Sequence, residues 1–177
     1  GHQMEAPLSQ RAVVKRLMRP VRTRRRVLEA LAKTKALGSI EAKTRVEAHA
    51  LNEAVLHQIH ATWVALIRQA GDAHGFKPES IESLEDLNRQ LADRGLPSAE
   101  ADALTRLAND PSDWVFHFLS RYRAICCPPE ATASTHQDAI PLNDQSAIEA
   151  IAQARYRPWA DALDELVKSY QTRFDES

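Results

Sequence analysis

His49, Glu53, His57 and His60 recur at intervals of 4, 4 and 3 residues. On a helix this spacing gathers four potential metal ligands within about 80° of arc. Imidazole with carboxylate suits zinc or iron, and helical bundles hold such ions with inward-facing Glu and His. The pattern stops short of a metal centre. A di-iron bundle draws Glu-x-x-His from two helices and further glutamates from others; here one helix carries a Glu-x-x-x-His step, and His117 on another has no second ligand at coordinating distance in sequence. The four residues are weak metal candidates. The expectation is a polar strip between packing faces, with no resident metal and no cofactor.

Arg68 is followed six residues later by His74, across Gln69, Ala70, Gly71, Asp72 and Ala73. The pair resembles the nuclease motif of the helical HEPN ribonucleases, which implies a nuclease. In that family the pair sits at the start of a helix, usually with a polar residue after the arginine. Here it straddles a helix end and a glycine, which puts the histidine in a loop. No Gly-x-Ser-x-Gly elbow, Walker loop, dinucleotide fingerprint or His-Glu-x-x-His pattern accompanies it. The expectation is a protein without catalytic residues. Cys126 and Cys127 are adjacent and are the only cysteines, so they cannot staple distant segments or complete a zinc site. Two thiols at a helix end in a reducing cytoplasm is the reading that follows.

Charge is the stronger signal. Arg11, Lys15, Arg16, Arg19, Arg22, Arg24, Arg25 and Arg26 face only Glu5 among the first 26 residues, a local balance of +7. The remainder holds 15 basic and 23 acidic residues, −8, so the overall −1 conceals a strong division. A basic arm needs an anionic counterpart: nucleic acid, membrane, a partner or the body itself. Lys15, Arg16, Arg19, Arg22, Arg24, Arg25 and Arg26 are the candidate electrostatic contacts. Leu8, Val14, Leu17 and Met18 form the apolar side of the arm. No aromatic residue interleaves with the arginines, which argues against stacking on single-stranded bases. Phosphate contacts without sequence preference are the nucleic-acid alternative.

The elements that must position these residues read as helices. Ala and Leu dominate the apolar composition and there are only 5 glycines, a mixture that favours helix over sheet. No apolar run approaches the roughly 20 residues of a membrane span, and the first residues lack the apolar stretch expected of a secretory signal. Residues 1–4 read as a tag remnant, 5–26 as the basic arm and 27–177 as one helical domain. Pro20 is expected to break or kink the arm, with a second stretch bearing Val27, Leu28, Leu31 and Leu37 and ending at Gly38.

Residues 40–70 lack Pro and Gly and form the expected central helix. Leu51, Val55, Leu56, Ile59, Trp63, Leu66 and Ile67 make its bulky face, and Ala50, Ala54, Ala61 and Ala65 a small one. Further helices are expected over 80–94, over 98–108 with Ser98 as cap, and over 111–127 with Asp110 as cap and Pro111 at the first helical position. On the last of these, an exposed Phe116 would mark a partner patch. Residues 128–144 read as a loop and 145–174 as helix, interrupted or begun anew at Pro158. The fold class expected is all-α: an antiparallel bundle of five to seven helices with a basic N-terminal helical arm.

Across residues 27–129 the order of features resembles a family of short uncharacterised helical proteins of gammaproteobacteria. The parts that carry it are the Ala/Leu-rich first helix, the stretch Asn52, Glu53, Ala54, Val55, Leu56, His57, and Asp110, Pro111, Ser112, Asp113, Trp114 leading to Arg121 and Tyr122. The resemblance implies a small helical cytoplasmic protein and brings no catalytic residues with it. The functional expectation is therefore a non-enzymatic adaptor that binds a protein partner through its arm and an apolar groove. Nucleic-acid association, metal binding and self-association are the alternatives.

Overall fold

The computed structural model describes residues 2–126 and 156–176, without the side chains of residues 2–9 and 11–20. Among the described residues there are six α-helices and no strand: α1 (His2–Gly38), α2 (Arg45–Asp72), α3 (Leu84–Asp93), α4 (Ala99–Asn109), α5 (Trp114–Cys126) and α6 (Arg157–Glu176). A single 3-10 turn, Pro78–Ser80, precedes α3. The molecule is an all-α helical bundle, and no helix among the described residues is long and apolar enough to cross a membrane.

Helix starts follow side chains that accept orphan backbone N–H groups. Thr44 Oγ1 accepts from Glu47 N at 3.1 Å while Glu47 Oε2 accepts from Lys43 N at 2.8 Å, a reciprocal cap that starts α2 at Arg45 rather than at residue 40. Ser83 and Asp86 repeat the device, with Asp86 N donating to Ser83 Oγ and Glu82 N to Asp86 Oδ2, so α3 begins at Leu84. Ser98 Oγ accepts from Ala101 N and starts α4 as expected. The expected cap at Asp110 is displaced: Asp110 holds Ser112 in a turn, and Asp113 accepts from Val115 N, so α5 starts at Trp114 instead. Pro158 falls in the first turn of α6, where its missing N–H costs nothing.

Pro20 does not end the first helix. The assignment runs unbroken from His2 to Gly38. Proline removes one backbone donor, and a turn can lose one bond while its neighbours persist.

Helix α2 is the axis of the bundle, touching α1, α3, α4, α5 and α6. Val55, Leu56, Ile59, Trp63, Leu66, Ile67 and Ala70 are buried along it, together with Val27 and Leu31 of α1, Leu104 of α4, Phe118 of α5 and Leu163 and Val167 of α6. Burying a side chain of that size contributes about 1.5–3 kcal/mol. Two expectations about faces change: Leu51 is half-buried, and the alanine face is partly solvated, with Ala50 and Ala61 exposed. On α1, Leu28 points outward. The buried polar residues Thr62, Gln69 and Asp72, with Ala48 and Ala70, complete the inner surface of α2.

Those polar residues set the register. Gln69 and Gln171 form a reciprocal amide pair, Nε2 to Oε1 at 2.9 and 2.7 Å, buried between α2 and α6. Thr34 and Thr62 face each other at 3.4 Å between α1 and α2. Thr23 Oγ1 donates to Asp72 Oδ2 at 3.1 Å one layer further along. Asp164 of α6 is gripped by Lys35 of α1 at 2.7 Å and Lys168 at 2.8 Å, and both ammonium groups hold its carboxyl below the usual carboxylate range. These pairings make α1 antiparallel to α2 and to α6, and α2 parallel to α6. At the far end of α2, Gly71 lies under Ile81, whose terminal carbon occupies the place a β-carbon would need.

The amide pair is expected to behave as an all-or-nothing unit. Gln171→Ala strands the Gln69 amide in the core and should cost about 1–3 kcal/mol, whereas the double variant Gln69→Leu with Gln171→Leu should cost less than the single one. Urea unfolding of the three proteins measures this directly.

Candidate functional site

Three groups of side chains stood out as able to do chemistry, and the structure treats them differently. The histidine strip divides. His57 and His60 converge on Tyr122 of α5: the His60 ring stacks on it with centroids 3.7 Å apart and planes within 2°, and His57 meets it edge-on at 5.6 Å. His49 lies two turns back on α2 and Glu53 is exposed. No group of three or more His, Cys, Asp or Glu side chains that could hold a metal occurs among the described residues.

Burial beside Trp63 and Phe118, then the neighbouring His57, lowers the His60 pKa from 6.5 to about 4. Desolvation disfavours the charged imidazolium. At neutral pH this histidine is an uncharged ring stacked in an aromatic cluster. The role of Tyr122 as the partner of two histidines is what one-dimensional spacing leaves out.

Around this cluster runs a cleft of about 270 Å³, between α2, α3, α4 and α5. Trp63, Ile67, Leu84 and Leu119 line it, with Glu82, Glu85 and Arg123 in its wall. A second cleft of about 270 Å³ opens where α1, α2 and α6 meet, bounded by Leu37, Ile40, Leu51, Val55 and Tyr156, with Arg157 and Asp161 alongside. Both are smaller than the roughly 300–1,000 Å³ of sites that enclose a drug-sized ligand. Either has room for one or two side chains of a partner.

In the second group, Arg68 and His74 each have a different neighbour. Arg68 Nε donates to the Ile81 carbonyl at 2.7 Å and so anchors the segment that follows α2. His74 stands in the turn after α2 and tilts against Phe76, centroids 6.3 Å apart. The guanidinium has a structural task.

The third group is the basic arm. Lys15, Arg16 and Arg19, and the apolar Leu8, Val14, Leu17 and Met18, lie in α1 outside the described side chains. The remaining arginines separate into two kinds. Arg24 turns toward the bundle and forms a two-pronged pair with Asp175 of α6, Nη1 to Oδ1 at 2.5 Å and Nη2 to Oδ2 at 3.3 Å. Arg22, Arg25 and Arg26 are exposed and make no ion pair among the described residues. Beside them Val21 is 56% and Leu28 45% exposed. Thr23 is buried against Asp72 and Arg24 pairs with Asp175, so these two residues at the end of the arm contact the bundle.

Cys126 is half-buried at the end of α5, and Cys127 lies outside the described residues, as do residues 128–155, including the expected loop. Phe116 is half-buried with its ring edge-on to His117, which withdraws it as a partner patch. No family model matches the chain, no curated protein is significantly similar to it, and no solved structure shares its fold at a significant level.

The neutral imidazole has a measurable consequence. The unfolded chain takes up a proton on His60 near pH 6.5 and the folded chain only near pH 4, so the unfolded state binds more protons between those values. Stability should therefore fall as the pH drops through that window. His60→Gln should remove this part of the slope, and the His60 ring should titrate near pH 4 by NMR.

Proposed function

We propose that this chain is a non-enzymatic helical adaptor or accessory protein, one that binds a protein partner through its basic N-terminal arm. The observation that carries the reading is the composition of the outward side of α1. Exposed Arg22, Arg25 and Arg26 share it with exposed Val21 and Leu28. A surface that only kept the chain soluble would have no use for the two large apolar groups, and a surface for phosphates alone would gain nothing from them. Mixed basic and apolar side chains on a helix suit the groove or helix of an acidic protein.

The cleft between α1, α2 and α6 supplies the apolar groove of this proposal, with Leu37, Ile40 and Leu51 available to a partner side chain. The histidine cluster and Arg68 are spent on packing and on a backbone carbonyl, which supports a role in binding over one in catalysis. A reducing cytoplasm is the proposed setting, in keeping with the adjacent cysteines. The resemblance to short helical gammaproteobacterial proteins belongs to the same proposal and adds no activity to it.

The expected outcome is capture of a protein from native extract that survives nuclease treatment. It should be lost when Arg22, Arg25 and Arg26 are changed to alanine and unaffected by His57→Ala. Capture that vanishes with nuclease, together with salt-sensitive retention of the purified chain on arbitrary duplex DNA, would instead establish the nucleic-acid alternative.

A further inference from the structure

The outward face of α1 has a regular pattern of its own. Positions 21, 25, 28 and 32 step by 4, 3 and 4 residues, and the sequence carries the same rhythm back to Met18 and Val14. This is the a/d spacing of a two-stranded coiled coil. Val21 and Leu28 are 56% and 45% exposed, and Ala32 is exposed in line with them. At 100° per residue the seam is centred about 135° around the helix from the mean direction of Thr23, Val27, Leu31 and Thr34, which face α2. The helix therefore has one face docked in the bundle and a second face built for a helix that the chain's own described elements do not provide.

One position interrupts the seam. Arg25 occupies it between Val21 and Leu28, exposed and without an ion pair among the described residues, flanked by Arg22 and Arg26 in the same condition. When a second helix closes over such a seam, the guanidinium is stripped of water, and a buried charge without a counter-charge is strongly destabilising. A charged or polar residue at one seam position consequently selects partner and register. A second copy of this chain is a poor fit in parallel pairing, because it would set Arg25 against Arg25 and repeat the flanking arginines. Phosphate would satisfy the arginines and leave Val21 and Leu28 uncovered. A carboxylate opposite Arg25, on a helix with apolar residues above and below it, meets every requirement at once.

We infer that the outward seam of α1 is the docking face for an acidic amphipathic helix of a partner protein, with Arg25 fixing its register through a facing Glu or Asp. The inference rests on the reading that the chain works by binding a protein through its arm, and it names the chemistry of what is bound.

The full-length protein is titrated against a labelled helical peptide of four heptads. The peptide carries leucine at its seam positions, one glutamate placed to face Arg25, and glutamates at the flanking positions; fluorescence anisotropy reads the binding. A scrambled peptide of the same composition should bind at least about tenfold more weakly. Arg25→Glu should weaken the heptad peptide by a similar factor, and exchanging the facing glutamate for lysine should restore binding to that variant, as expected of a charge pair closed off from water. Leu28→Asp, a change at an exposed position that leaves folding intact, should weaken both combinations.

Equal binding of scrambled and ordered peptides, or no rescue by lysine, overturns the seam. Self-association of the full chain that disappears in Leu28→Asp overturns it in favour of a second copy. Should nuclease-resistant capture through the arm persist while the peptide fails, the seam alone is wrong; loss of that capture removes the broader reading as well.

Discussion

The reciprocal amide pair between Gln69 and Gln171 is the constraint on which the arrangement of the long helices depends. Helices faced with Leu, Ile and Val slide past one another at little cost, since one apolar contact replaces another. A buried amide does not slide, because each displaced donor and acceptor loses its partner. With Thr34 opposite Thr62, Thr23 opposite Asp72 and Asp164 held by Lys35, the same logic is applied at successive levels of α1, α2 and α6. The hydrophobic cluster supplies the driving force and the polar layers choose the alignment. Specificity from buried polar groups is well attested where they fix helical register, and here the pairs Gln69–Gln171, Thr34–Thr62 and Thr23–Asp72 each bridge two different helices.

That alignment also decides what α1 has left to offer. Once Thr23, Val27, Leu31 and Thr34 are committed to α2, the remaining circumference of the helix is determined, and it is there that Val21, Arg25 and Leu28 emerge. Arg24 shows the sorting at single-residue resolution: one position from Arg25, it turns to Asp175 and belongs to the fold. Arg24 on one side and Arg22, Arg25 and Arg26 on the other are thus two populations separated by helical phase. His57 and His60 are sorted in the same way, into an aromatic cluster with Tyr122 instead of toward a metal.

Helix content, the central place of α2 and most of its buried face were legible in the sequence, because an apolar stripe at a 3.6-residue period has only one economical use. Ser98 as a cap was legible for the same reason: its position before Ala99, Ala101 and Leu104 fits a first turn. Caps one motif removed were harder. Asp110 and Pro111 looked like a helix start, yet Asp113 lies closer to the apolar run and takes the role. Pro20 argued for a break on local grounds, and the helix assignment passes through it. The pairings that matter most were out of reach of a linear reading. Nothing in the spacing joins Gln69 to a residue 102 positions away, or turns Tyr122 from a core aromatic into the platform for two histidines. For Leu28 the spacing names no face, and only the docking of its neighbours shows which one it occupies.

The parallel run of α2 and α6 carries one more consequence. Asp72 lies against Thr23, and Asp175 against Arg24, so both helices terminate at the same level of α1. The end of α2 is closed by its own chain, since the carbonyls of Gln69, Gly71 and Asp72 accept from Ala73, Phe76 and Gly75 N. Helix α6 ends instead on a side chain of α1, through the pair of Arg24 with Asp175 in its last turn. A cation at a helix C-terminus opposes the macrodipole, so Arg24 ties the end of α6 to α1 by charge as well as by hydrogen bonds.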